Sequence, residues 1–142
     1  RYELERSLLE GKIKIQYLPK LWNAKYQEYL GVTPKNDAEG VLQDVHWSDG
    51  SMGYFPTYAI GTIYSAMLYR VMLEKHNIKK DLDHGDPQFI KDWLQKNIHQ
   101  HGSMYLAKEI MKKTCKTEID VSALMDYFWE KYGELYGITR KY

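Results

Sequence analysis

The sequence predicts an all-α chain, and three observations carry that prediction. Apolar residues recur at the 3.6-residue helical period in one segment after another. Glycines and prolines stand where those segments end and begin. No stretch alternates apolar and polar residues for long enough to read as a strand, and neither an internal repeat nor a low-complexity tract is present.

Taken in order, Tyr2 to Glu10 reads as a helix that stops near Gly11, a residue suited to a left-handed cap. Pro19 opens the next helix in its first turn, where its missing N–H is no loss. Trp22, Tyr26, Tyr29 and Leu30 form its expected inward stripe, and Gly31 ends it. Residues 32–39 are a connector, with Thr33-Pro34 and Asn36-Asp37 as turn chemistry. Thr57 to about Lys75 is apolar over a wide arc (Ile60, Ile63, Tyr64, Met67, Leu68, Val71, Met72), the pattern of a helix buried on several sides. Asn77 to Gly85 is polar and expected at the surface. Asp86-Pro87 opens a helix with Phe89, Ile90, Trp93, Leu94 and Ile98 inward. A short helix follows around Leu106, Ile110 and Met111. Asp120 is the expected cap of the last helix, with Val121, Leu124, Met125, Phe128, Trp129 and Tyr132 as its stripe.

Composition narrows the function. With 142 residues, 44% of them hydrophobic, the chain can bury one core. Twenty basic against 19 acidic residues leave a net charge of +1, so no electrostatic footprint for nucleic acid exists. Aromatic residues make up 14%, including 13 Tyr and 4 Trp, which suits helical interfaces and a lined cleft. The single Cys115 excludes an internal disulfide framework, suits a reducing, cytoplasmic setting, and has no neighbouring His to activate it. No apolar run approaches the roughly 20 residues of a membrane span.

The most informative stretch is residues 40–58, GVLQDVHWSDGSMGYFPTY. It gathers Gln43, Asp44, His46, Trp47, Tyr54 and Tyr58 around Gly50, Gly53 and Pro56, immediately before the long apolar helix. Glycine and proline at this density shape a loop, and loops carrying His, Asp and Tyr are where chemistry sits; aromatic, proline-rich turns also plug cores. In an extended loop Asp44 and His46, two apart, point the same way, so Asp44 can orient the imidazole. Tyr58 falls in the first turn of the helix that follows, near the positive end of its dipole, where a phenol can donate to a developing oxyanion. Tyr54 reads more as packing.

The run QDVHW followed by GYFPTYAIG resembles a signature of the carboxypeptidase Taq family of metallopeptidases, and RYELERSLLEG, LPKLWNAKYQEYLGV, NDAEGVLQD, WLQKNIHQHGS and EKYGELYG resemble the C-terminal part of the same family. The resemblance implies the C-terminal helical segment of a larger zincin-like metallopeptidase with a deep substrate cleft. It implies removal of C-terminal residues from peptides, a metal (zinc or cobalt), and a homodimer. It gives His46 and Tyr58, with Tyr54, the task of stabilising the transition state, while Gln43, Asp44 and Trp47 shape the loop. Arg1 is a candidate for the substrate carboxylate. The family's metal rests on an HExxH helix, and none of the five His here (His46, His76, His84, His99, His101) begins that pattern. The metal-binding part is therefore expected outside this sequence, in the rest of the same enzyme, and the 142-residue chain alone is expected to hold no metal and cleave nothing. His99 and His101 form a His-x-His pair, but a closed metal site needs more than two ligands. His76 and His84 sit in polar surface sequence. From another class, a non-catalytic helical module that grips peptides, or a folding unit without activity, fits the same composition; stoichiometric metal separates these from the enzyme.

Overall fold

In the computed structural model, which describes residues 1–140, the regular elements are α-helices and short 3₁₀ turns, with no strand among the described residues. The chain forms two compact units, residues 1–59 and 60 onward.

In the first unit, α1 spans Tyr2–Leu9, α2 Leu18–Leu30 and the single turn α3 Val45–Ser48, with 3₁₀ turns at Ile15–Tyr17 and Val41–Gln43. Gly11 and Gly31 take positive φ (68° and 69°), and Gly31 caps α2 in the left-handed conformation that favours glycine. The core is Leu4, Leu18, Trp22 and Val41, with Leu8, Leu21, Tyr26 and Trp47 packed against it. Trp22 stacks on Tyr26 at 5.3 Å and meets Trp47 edge-on at 5.9 Å. Half of the expected α2 stripe turns outward: Tyr29 and Leu30 are exposed, and Leu18 takes the inward place. The Tyr29 hydroxyl donates to Glu3 at 2.7 Å, which draws the ring to the polar edge of α1.

Helix α4, Pro56–Leu73, begins in the first unit and continues into the second. Its expected burial holds only for its later turns. Ala66, Met67 and Met72 are buried, whereas Tyr58 and Ile60 at its start are exposed. Residues 77–85, expected as surface, contain α5 at Ile78–Asp83. The Asn77 side chain caps it by accepting the Lys80 N–H at 3.2 Å, which drives Ile78 into the core at 1% exposure. His76 is stacked on Phe89 at 4.0 Å and paired with Asp81, so it is not an idle surface residue.

Helix α6 spans Gln88–Asn97, with Asp86 accepting the Gln88 N–H at 2.9 Å, and α7 spans Ala107–Cys115. Helix α8 runs Ser122–Tyr136, four residues past the expected Tyr132. Its expected stripe is only partly inward: Val121, Met125 and Phe128 are exposed, and the buried residue is Ala123. One cluster joins Ala66, Met67, Met111 and Ala123; another joins Met72, Ile78 and Trp93. Complete burial of Met67 and Ile78 contributes about 1.5–3 kcal/mol each. Among the described residues no helix is long and apolar enough to cross a membrane.

Candidate functional site

The loop between the Val41–Gln43 turn and α4 is not extended where Asp44 and His46 stand. Asp44 is the N-cap of α3, its Oδ1 accepting the Trp47 N–H at 3.1 Å, so the chain turns helical at Val45. Asp44 and His46 nevertheless remain neighbours. Asp44 Oδ1 lies 3.7 Å from His46 Nδ1, beyond hydrogen-bond reach, and Nδ1 makes no hydrogen bond among the described residues.

Rings hold the imidazole instead. Tyr54 stacks on it at 5.6 Å with 24° between the planes, while Phe55 and Tyr58 meet it edge-on at 5.5 and 5.7 Å. Pro56 starts α4 directly after Phe55, so Tyr58 emerges in the first turn of that helix. Its hydroxyl lies 3.2 Å from His46 Nε2. Tyr54 and Tyr58 contact edge-on at 5.6 Å, and each is about half exposed. The structure thus brings His46, Tyr54 and Tyr58 into one cluster at the surface of the first unit.

The remaining residues singled out by sequence form the base beneath that cluster. Gln43 donates to the Ala38 carbonyl at 2.5 Å and closes the preceding turn. Asp44 is buried, and Arg1 compensates its charge, with Nε 3.4 Å from Oδ2. The Arg1 guanidinium also lies over the Phe55 ring at 4.3 Å and donates to the Gln43 carbonyl at 3.5 Å. Its carboxylate partner is therefore internal.

Sequence reasoning passed over Glu5. It is 4% exposed on the inward face of α1, yet charged. One carboxylate oxygen accepts the Trp47 indole N–H at 2.8 Å and the other accepts the Gly53 amide. Gly53 has φ +77°, a conformation that favours glycine. An acid placed between Leu4 and Leu8 on an apolar face was the available signal, because a buried carboxylate must find donors.

Among the described residues no three His, Cys, Asp or Glu side chains come together to hold a metal ion. His99 and His101 lie in a 3₁₀ turn after α6, and His101 contacts Tyr105 edge-on at 5.3 Å.

Comparison with known proteins gives the class to which this all-helical segment belongs. The family model described as carboxypeptidase Taq (M32) metallopeptidase matches residues 1–132. The chain belongs to that family. It is 44% identical over 137 residues to carboxypeptidase 1 of Bacillus subtilis (strain 168), covering 96% of this chain and 27% of that protein. It is 40% identical over 139 residues to thermostable carboxypeptidase 1 of Pyrococcus furiosus, covering 93% and 27%. The crystal structure of the M32 carboxypeptidase from Deinococcus radiodurans R1 matches with a TM-score of 0.90 at 34% identity, covering 95% of this chain and 28% of that one. The chain thus spans little more than a quarter of the length of these relatives.

Proposed function

We propose that this chain is the substrate-side helical part of a metal-dependent carboxypeptidase that removes C-terminal residues from peptides, and that His46 and Tyr58 stabilise the oxyanion. The observation that carries the reading is the 3.2 Å pair of His46 Nε2 and Tyr58 Oη at the start of α4. When Nε2 holds the proton, it donates to Oη and leaves the phenol's own hydrogen to be donated to an oxygen on which charge develops. Asp44 lies 3.7 Å behind Nδ1, on the side of the ring away from Tyr58. Tyr54 keeps the ring plane fixed by stacking, and Arg1 serves the loop through Asp44 and Phe55 rather than taking the substrate carboxylate.

The metal, zinc or cobalt, belongs to an HExxH part of the enzyme outside these residues, and the chain alone neither holds it nor cleaves peptides. A homodimer and a cytoplasmic setting extend the proposal on the family resemblance alone.

The test is made in the full-length enzyme. Tyr58→Phe removes one donor and little volume, so kcat is expected to fall roughly 10²–10³-fold with KM little changed and metal content intact. His46→Ala is expected to lose a similar order, and Tyr54→Phe less. Normal kcat in both Tyr58→Phe and His46→Ala would reduce the loop to architecture.

A further inference from the structure

The geometry points to Glu5 as the positioning residue that fixes the loop carrying His46 and Tyr58, an inference that rests on the catalytic reading of that loop. Glu5 sits on α1, outside the 40–58 loop, and reaches it at two points. One oxygen takes the indole N–H of Trp47, the residue after His46; the other takes the amide of Gly53, the residue before Tyr54. The two contacts bracket the turn between His46 and Tyr54, which is closed internally by the Ser51 N–H donating to the His46 carbonyl at 2.8 Å. A single buried side chain therefore sets where the imidazole and its stacking partner Tyr54 begin and end.

Both contacts are donors, and this makes the carboxylate specific. Its two oxygens each accept; a glutamine would offer one oxygen and one NH₂, so one of the two N–H groups would face another donor at a side chain that is only 4% exposed. Aspartate keeps the charge and both oxygens but draws them back by one methylene. Arg1, the N-cap residue one turn before Glu5, bears on the same loop through Asp44, so the start of α1 is its brace.

The experiment compares Glu5→Gln and Glu5→Asp with Tyr58→Phe in the full-length, metal-loaded enzyme, and follows hydrogen exchange at the Gly53 amide alongside turnover. Both Glu5 variants are expected to lose protection at Gly53 while amides within α2 keep theirs. Their kcat is expected to fall by about 10²-fold, the scale of a misplacement of about 1 Å, with KM and metal content little changed. In the Tyr58→Phe background the same Glu5 change should cost far less, because groups that act as a unit are non-additive. Unchanged Gly53 protection or normal kcat in both Glu5 variants, with Tyr58→Phe still impaired, overturns the positioning role and leaves the catalytic reading standing. Normal turnover in Tyr58→Phe and His46→Ala with Gly53 exposed in Glu5→Gln does the reverse: the tether stands as a feature of the loop and the catalytic reading falls.

Discussion

At Asp120 a single carboxylate meets several donors. Oδ1 accepts the Ser122 N–H at 2.9 Å and Oδ2 takes the Arg70 guanidinium of α4 at 2.5 Å. The Ser122 hydroxyl first, and the Arg70 guanidinium next, hold this carboxyl down to about 2. A group whose folded value lies below its unfolded value of about 3.9 adds stability above that value and loses it as pH falls toward 2. Asp120→Asn keeps an acceptor for the α8 start but gives up the charge. Urea midpoints are therefore expected to fall for the unaltered chain between pH 4 and about 2, and to change less for Asp120→Asn across the same window. At neutral pH the variant should be the less stable, by an amount held small by solvent because the pair is about a third exposed. Parallel acid profiles for the two proteins would refute the assignment.

At the scale of elements, what could be read locally was read. Gly31, the proline at the start of α2 and the Asp86 and Asp120 side chains mark helix limits within a residue or two of where the chain adopts them. Helices α3 and α5 escaped because four and six residues are too few for a 3.6-residue period to show; only their caps, Asp44 and Asn77, announced them. The outward turn of Tyr29 and the bare first turns of α4 were not legible either, since periodicity gives a face but not what covers it. In the site, His46 and Tyr58 stood out because the loop's composition and family resemblance mark them. Glu5 did not, since its partners lie 42 and 48 residues along the chain and no local pattern links them.

At the scale of the whole chain, apolar side chains remain on the surface in number. Leu9, Leu30, Leu42, Met104, Leu106 and Leu135 are each more than 60% exposed. The second unit also holds a groove of about 370 Å³ lined by Ala66, Tyr69, Leu82, Leu124, Tyr127 and Phe128 among others. An apolar groove of this kind is a surface on which another protein segment can pack. The isolated 142-residue chain is accordingly expected to bind a hydrophobic dye such as ANS and to associate as its concentration rises, read by sedimentation velocity. A monodisperse monomer that leaves the dye dark would show that these faces need no cover.

The bond from Trp47 to Glu5 gives the loop an optical voice of its own. Excitation moves electron density in an indole away from its pyrrole ring, so an anion 2.8 Å from Nε1 stabilises the excited state and shifts its emission to the red. The emission of Trp47, isolated as the difference between the chain and its Trp47→Phe variant, should therefore move to the blue when Glu5→Gln removes that anion. An unmoved spectrum would mean that the acid does not rest against the ring in solution. A shift would let the loop's docking on α1 be followed in real time, without substrate and without a label.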